Sequence, residues 1–425
     1  MLVIVLWISF GLVAIAICFA DAMSSELRAS ANRAAGLAAD QAIDGAARYV
    51  GAVLGAFATN GVVPDLTVYQ AAAVPVGDAR FWLIGRDPSG AVTTEPYFSL
   101  TDEGSKMNLN HASTNELTAL PNITPDFVQA ILDWRSSSGS PLAAVNYAPL
   151  GYAAKNASFE TVDELRLVYG ATVDLLAGSD INRNGILDAN EADINHNGVV
   201  AAGLFEYLTT FSREPNLHSD GTPLANVNTR SQLEPLLQTT FGAARAKQVL
   251  ERVTRRPGRT AVVFSNLLQF YLQSGMTTAE FGQIANSLTA SSATCIYGRI
   301  NINTANAVVL SCLPGMDAGT AQQLITYRQQ NQNNLTSIAW IVEALGNSSA
   351  IVQSLAQGDF ITTHSYQFTA DIAALGPYGR GYRRTRFIFD LSAGAVHVVY
   401  RQDLSRLGWA LGNAVRSTYL AKETR

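Results

Sequence analysis

Met1-Leu2-Val3-Ile4-Val5-Leu6-Trp7-Ile8-Ser9-Phe10-Gly11-Leu12-Val13-Ala14-Ile15-Ala16-Ile17-Cys18-Phe19-Ala20 opens the chain, and Asp21-Ala22-Met23 carries it on without a break. Leu2 to Ala20 hold no charged side chain, close to the roughly 20 apolar residues that one bilayer-spanning helix needs. The run does not have the form of an ordinary secretory signal. No basic residue precedes it, and no polar break with an Ala-x-Ala site follows it. From Asp21 to about Phe57 the sequence is rich in Ala, lacks Pro, and spaces its charges at Glu26, Arg28, Arg33, Asp40, Asp44 and Arg48. One helix from Met1 to about Phe57 is expected, about 85 Å long at about 1.5 Å per residue. Its first third is membrane-soluble and the rest is a stalk. The alternative is a signal anchor followed by a generic helical stalk.

The chain has 425 residues, 48% of them hydrophobic, enough for two or three cores rather than one. Charged residues are sparse at 15% and the formal net charge is −5. Binding nucleic acid by counterion release needs clustered Lys and Arg, which this composition does not supply. The three cysteines are Cys18, in the apolar run, and Cys295 and Cys312. The latter two are expected to pair in an oxidising compartment, closing a loop of about 16 residues worth roughly 3 kcal/mol in the chain-entropy model. The alternative is two small buried side chains. The histidines at 111, 196, 218, 364 and 397 are scattered. No G-x-S-x-G, H-E-x-x-H, P-loop or G-x-G-x-x-G pattern is present, so no catalytic residue is assigned and no enzyme is expected.

Beyond the helix, Arg80-Phe81-Trp82-Leu83-Ile84 and Tyr97-Phe98-Ser99-Leu100 read as strands around a turn at Asp87-Pro88-Ser89-Gly90, and a hairpin is expected. Helical spacing then dominates from Asn110 to Gly298. Ser113-Thr114-Asn115-Glu116 fits a capping box, and Phe159 to Leu176 and Ser231 to Val253 read as helices. Alternation returns in Tyr366 to Leu375, Arg383 to Leu391 and Ala395 to Arg401, an antiparallel meander. In the second of these, Phe387, Phe389 and Leu391 share one face, and Arg384 and Arg386 the other. A repeat is also visible. Asn108-Leu109-Asn110, Asn226-Val227-Asn228 and Asn301-Ile302-Asn303 each precede a helical run. The first and third continue through Leu120-Pro121-Asn122-Ile123 and Leu313-Pro314-Gly315-Met316 to Trp134-Arg135 and Tyr327-Arg328.

The order gives an α+β fold: a long N-terminal helix and an antiparallel sheet, with a large α-helical domain inserted that contains helix-hairpin-helix-like units. The expected divisions are the N-terminal helix at 1–57, a first β segment at 58–109, the inserted helical domain at 110–298, a second helix-hairpin-helix-like segment at 299–364, and the C-terminal sheet at 365–425.

Asp180-Ile181-Asn182-Arg183-Asn184-Gly185-Ile186-Leu187-Asp188-Ala189-Asn190-Glu191 fits a twelve-residue EF-hand-type loop at each key position. Asp180, Asn182, Asn184 and Asp188 supply oxygens at positions 1, 3, 5 and 9, Gly185 the sharp turn, Ile186 a main-chain carbonyl, and Glu191 a bidentate carboxylate. Calcium, with six to eight oxygen ligands, is the expected ion. The bland alternative is an Asn- and Asp-rich surface turn. Asp193-Ile194-Asn195-His196-Asn197-Gly198-Val199 repeats the first half of the pattern. Asp193, Asn195, Asn197 and the Val199 carbonyl are its ligands, but position 12 is Leu204, with Glu206 as a substitute. Tandem loops without flanking helices point to a structural ion rather than a calmodulin-like sensor.

Helix-hairpin-helix-like units also occur in DNA-binding proteins, where backbone N–H groups of a Gly-containing turn meet phosphate. Here Asn122 stands at one turn, and Asp126, Asp133 and Asp317 flank the hairpins. A membrane-anchored periplasmic DNA-uptake protein is therefore the rival reading. Arg380, Arg383, Arg384 and Arg386 form a dense basic cluster, expected to be a solvated strand face or a protein-contact surface.

Taken in order, these features resemble the K-type minor pseudopilins of the bacterial type II, or general, secretion system. They are Asp102-Glu103 and Lys106 running into Asn108-Leu109-Asn110 and a hairpin unit, then Tyr152 with Lys155-Asn156, Phe159 and Val162-Asp163-Glu164-Leu165-Arg166-Leu167-Val168, and last Ile300-Asn301-Ile302-Asn303-Thr304-Ala305 with its second hairpin. With the N-terminal helix they span most of the chain. The resemblance implies a pilin-like core with an inserted helical domain, single-pass anchoring in the inner membrane, and a periplasmic globular part. It implies association with I- and J-type minor pseudopilins, the major pseudopilin and the secretion platform, a role in capping and initiating the pseudopilus, no catalysis and no nucleic-acid partner. Pilin-like chains usually carry Glu at the fifth mature position. Val5 departs from this in a way that suits a tip subunit with no neighbour above it, because a lone carboxylate in lipid is costly. Asn122, in place of a hairpin Gly, is a second departure. The basic leader of a prepilin is expected to have been trimmed.

Overall fold

The computed structural model describes residues 2–57, 61–253 and 263–423; the expected helix start at Met1 lies outside them. Helix α1 is Leu2–Gly55, 54 residues, or about 81 Å. Its two parts have different surroundings. The apolar side chains from Leu2 to Phe19 are 52–81% exposed, whereas Ala39, Ala42, Ile43, Ala46, Val50 and Leu54 are buried. Those positions recur at three- and four-residue intervals, one stripe of a helix. Half are alanines, so the helix lies close on the sheet. A Cβ on Gly376 would stand 2.2 Å from the Ala35 carbonyl oxygen, and one on Gly381 would stand 2.4 Å from the Ala35 carbonyl carbon.

The sheet has six strands among the described residues, in the order Val74–Val76, Ala79–Ile84, Gln367–Leu375, Arg383–Asp390, His397–Asp403, with Thr101–Asp102 also pairing Gln367–Leu375. All pairings are antiparallel, with Ile372 opposite Leu83 and Phe368 opposite Phe389. One face packs on α1 through Phe81, Leu83, Phe368, Ile372, Phe387 and Phe389. The central strand Gln367–Leu375 is buried at all nine positions, because the insert and the C-terminal segment cover its other face, where Trp82, Ile84, Ala373 and Leu375 meet Ala410 and Leu411. The expected hairpin partner of Arg80–Ile84 is reduced to a single bridge, Ile84 to Phe98. Pro96 has no N–H to give a ladder, and Gly85 crosses Ser99 so closely that a Cβ would lie 2.1 Å from its hydroxyl.

The N-x-N repeat becomes a structural one. Met107–Asn108 pairs in parallel with Leu208–Thr209, Ala225–Asn226 with Leu288–Thr289, and Ile300–Asn301 with Ile361–Thr362. Parallel pairing of short segments requires a crossover, and the helices between each pair supply it. In all three, the second Asn donates its N–H to the side-chain oxygen of the first, at 3.0, 2.9 and 2.9 Å. In the first and third, the Arg at the end of the second helix reaches back to the start. Arg135 binds the carbonyls of Leu109 and Ala112, and Arg328 those of Ile302 and Ala305. The sequence separations, 26 and 23, are the same in both. The middle repeat instead has one long helix, Arg230–Val253, kinked at Gly242. Asn122 takes the left-handed conformation (φ 58°) that Gly315 takes (φ 80°) in the third repeat, and Asn tolerates it better than most residues. One hydrophobic core runs from Met107 to Ile361 through all three repeats.

The Ser113–Glu116 capping box forms: Ser113 N–H donates to Glu116 Oε2 at 2.8 Å, and Glu116 N–H to Ser113 Oγ at 3.3 Å. The expected helix at Phe159 to Leu176 is instead a 3₁₀ turn, Val162–Leu167, and a short helix, Val173–Ala177. Gly170, at φ 84°, breaks it. Cys295 and Cys312 are not bonded. Cys312 is buried in the repeat core at 4% exposure and donates to the Val308 carbonyl at 3.2 Å, while Cys295 lies on a strand paired with Arg213–Pro215.

Candidate metal centre

The two Asx-rich loops form one excursion, closed at its neck by Ser179 N–H donating to the Ala201 carbonyl at 2.8 Å and Ala201 N–H to Ser179 Oγ at 2.7 Å. Inside it the first loop winds around its own acceptors. Asp180 accepts from the Asn184 and Gly185 N–H groups, both at 2.8 Å. Asn184 Oδ1 accepts from Ile186 N–H at 3.0 Å. Glu191 closes the ring, accepting from Asn182 N–H at 3.2 Å and Asp188 N–H at 3.0 Å. Asp188 Oδ2 accepts from the amides of Asn182 at 2.6 Å and Asn184 at 2.9 Å. Arg183 and Gly185 take positive φ, 58° and 85°, which provides the sharp turn.

Asp180, Asn182, Asn184, Ile186 and Asp188 are all buried. Burial raises the pKa of Asp180, although Arg86 beside it pulls the other way. Burial also raises that of Glu191, aided by the charges of Asp180 and Asp188. The charges of Asp180 and Asp188 thus act on Glu191, an arrangement that a hard cation relieves. The donor set is all oxygen and includes Asn and main-chain groups, which suits calcium rather than zinc. Among the described residues, no three His, Cys, Asp or Glu side chains meet in a group that could hold a metal ion, so any ion here depends on the Asn and main-chain oxygens as well.

The second loop repeats the fold of the first turn for turn. Asp193 accepts from Asn197 N–H at 3.3 Å and Gly198 N–H at 2.8 Å, and Asn197 Oδ1 from Val199 N–H at 2.9 Å. His196 and Gly198 take positive φ, as Arg183 and Gly185 do. Asn195, His196, Asn197 and Gly198 are exposed. Glu206 is turned away to Arg86, which donates to its two oxygens at 2.8 and 2.7 Å.

The first loop is also seated on the sheet. Arg384, at 0% exposure, pairs with Asp371 at 2.7 and 2.9 Å and donates to the carbonyls of Asn182 and Arg183. Asn182 Nδ2 donates to the Trp409 carbonyl at 2.9 Å. Arg183 pairs with Asp163 at 2.8 Å and lies 3.9 Å over the Phe205 ring. Burial would raise the pKa values of Asp371 and Asp163, but Arg384 with Arg386, and Arg183, outweigh it and hold both at about 2. The basic cluster is thus not a solvated face. Arg384 and Arg386 share Asp371, and Arg383 reaches Asp40 of α1 at 3.2 Å. The sequence placed Arg384 on the correct face; its buried partner lies 13 residues away on the neighbouring strand, a pairing that only the register reveals.

A second joint fastens the insert. Asp102 accepts from Gly104 N–H at 2.7 Å, Asn301 Nδ2 at 3.0 Å, Thr304 and Ser365. Glu103 binds Lys106 at 2.9 Å, Thr369 at 2.7 Å and Thr209. Asp102-Glu103 therefore ties the sheet to the first and third repeats.

Residues 300–357 match the family described as type II secretion system (T2SS), protein K. That span is the third repeat, from its opening strand to just before its closing one. No curated protein sequence matches the chain. Among solved structures, the chain resembles one from the crystal structure of the GspK-GspI-GspJ complex of the enterotoxigenic Escherichia coli type 2 secretion system. The TM-score is 0.37 at 10% identity, covering 86% of this chain and 96% of that one. The family match supports a K-type minor pseudopilin.

Proposed function

We propose that this chain is the tip subunit of a type II secretion pseudopilus, anchored by α1 in the bacterial inner membrane with its globular part in the periplasm, and that it acts through assembly rather than catalysis. The observation that carries the reading is the match of the third repeat to the protein K family, on a chain whose first helix leaves Leu2 to Phe19 bare. That bare surface has the length and composition of one membrane span. In a filament it would exchange lipid for the helices of neighbouring subunits, where packing rather than hydrophobic transfer drives association. The three-repeat insert is a bulky cover, which favours a cap that also starts assembly. I- and J-type minor pseudopilins are the proposed neighbours, as in the complex the chain resembles, with the major pseudopilin and the secretion platform further out.

The first loop is proposed to hold calcium as a structural ion, through the side chains of Asp180, Asn182, Asn184, Asp188 and Glu191 and the Ile186 carbonyl. The ion supplies positive charge to the carboxylates of Asp180, Asp188 and Glu191. Arg384 fixes the backbone at Asn182 and Arg183, so the loop is oriented from the sheet side. Asp193, Asn195, Asn197 and the Val199 carbonyl form a weaker second site, open to solvent and without a carboxylate at its twelfth position.

The test is secretion in a strain lacking this gene. Retention of exported proteins in the periplasm, restored by the intact gene, is expected. Unaltered secretion would refute the role and point to a related pilus or a DNA-uptake machine.

A further inference from the structure

A cavity of about 470 Å³ opens between the second and third repeats and the strand pair formed by Arg213–Pro215 and Cys295–Tyr297. Its size lies within the roughly 300–1,000 Å³ range of ligand sites. Phe281, Leu288 and Ile338 give it apolar walls, and Glu214, Asp359 and Arg299 a polar end. Arg299 donates to Glu214 Oε2 at 3.3 Å and to Asp359 Oδ2 at 2.5 Å. These are the charged Asp, Glu, Lys and Arg side chains of the lining, so one guanidinium serves two carboxylates. Burial raises the pKa of Glu214 despite Arg299, and the charge of Asp359 adds to the rise; the carboxylate is under-compensated. His364 on the same wall does not offset the deficit. Burial, and then the charge of Arg299, lower its pKa to about 4 and leave the ring neutral near pH 7.

The hydrogen-bond balance points the same way. Among the described residues that line the cavity, Glu214 Oε1 and Asn216 Oδ1 are acceptors without a partner, Arg299 Nε is a donor without one, and Ser337 Oγ, which can act as either, also has none. Asn216 and Ser337 are 8% and 2% exposed. Buried polar atoms are rarely left unpaired, and here the surplus is of acceptors. A guanidinium or ammonium group offers donors only and brings the missing positive charge.

We propose that this cavity binds an organic cation, a guanidinium or primary ammonium on a short apolar stem, with its charged head at Glu214 and Asp359 and its stem against Phe281 and Leu288. Guanidinium is the better fit, being planar, rich in donors and weakly hydrated. Its source is an arginine side chain of another protein or a free small cation, and the test separates the two.

Saturation-transfer NMR on the full chain in zwitterionic detergent would use n-butylguanidinium, Nα-acetyl-arginine methylamide and the neutral Nα-acetyl-norleucine methylamide. Both guanidinium probes are expected to bind, with the norleucine amide at least tenfold weaker. An arginine amide tenfold tighter than butylguanidinium identifies a protein side chain as the natural occupant, and equal affinities identify a free cation. Glu214→Gln is expected to weaken both at least fivefold. Because Glu214 also accepts from Thr362 at 3.2 Å, a second variant guards against misfolding. Leu217→Trp sits on the rim, where Leu217 is 40% exposed, and should block both probes while leaving the melting temperature unchanged. No transfer to either guanidinium probe, equal binding of the neutral amide, or full binding in Leu217→Trp would overturn the proposal.

Discussion

The two Asx-rich loops share a backbone and differ in what surrounds it. Asp180 and Asp193 each collect N–H groups four and five residues on, and each loop turns through two left-handed residues. Yet the first loop is buried against Arg384, Asp371 and the Trp409 carbonyl, while the second faces solvent. The turn is thus a local property of the Asp-x-Asn-x-Asn-Gly pattern, because side-chain acceptors two to five residues away suffice to build it. The seat is not local. It depends on a guanidinium some 200 positions further along the chain (the two contacts span 202 and 201 residues). Only the first loop is therefore placed to couple an ion to the joint between insert and sheet.

The largest break in that comparison should come from Arg384→Met. It leaves the Asn182 carbonyl without its donor, the Arg183 carbonyl with only Arg86 at 3.4 Å, and Asp371 with Arg386 alone, and removing one partner of a buried pair typically costs about 3–5 kcal/mol. Urea unfolding should show that loss, and the double variant Arg384→Met/Asp371→Leu should recover part of it. Next comes Asp180→Asn. In calcium at roughly 100 times the dissociation constant, a bound ion stabilises by about 2.7 kcal/mol. The variant should lose more in calcium than in chelator, by about that difference, read from paired melts.

Acid separates the loops by another route. Asp163 and Asp371 are held at about 2 in the fold, below the ordinary 3.8. A depressed carboxylate favours the folded state above the unfolded value, and that contribution is lost as pH falls from about 3.8 towards 2. Denaturant midpoints should fall across that window in the wild type and less steeply in Asp163→Asn. Asp193→Asn is the smallest change. Its contacts are its own exposed turn, and surface substitutions usually stay within about 0.5 kcal/mol.

What the sequence made legible follows the same division. The long helix, the face-sharing of Phe387 and Phe389, the Ser113 capping box and the three N-x-N starts all rest on contacts a few residues apart or on simple periodicity. The ends of the repeats were missed. Leu208-Thr209-Thr210-Phe211-Ser212, Leu288-Thr289-Ala290-Ser291-Ser292 and Ile361-Thr362-Thr363-His364-Ser365 share a Leu/Ile-Thr-x-x-Ser pattern. In each, the Thr carbonyl accepts from the residue after the first Asn, at 2.7, 2.9 and 3.0 Å. That recurrence was available as a signal, but two-residue strands carry too little alternation to stand out. The burial of Arg384 and the single-bridge fate of Tyr97 to Leu100 were not available, because both are decided by what packs from elsewhere. The cavity at Glu214 is equally non-local, assembled from segments more than 100 residues apart.

The most direct test of the proposed ion at that seat is calcium titration calorimetry on the full chain and on its Asp180→Asn and Asp193→Asn variants. One tighter site should vanish in Asp180→Asn and persist in Asp193→Asn, with a weaker event showing the reverse. Tight calcium binding that survives Asp180→Asn, or no calcium binding by the wild-type chain, would contradict the account.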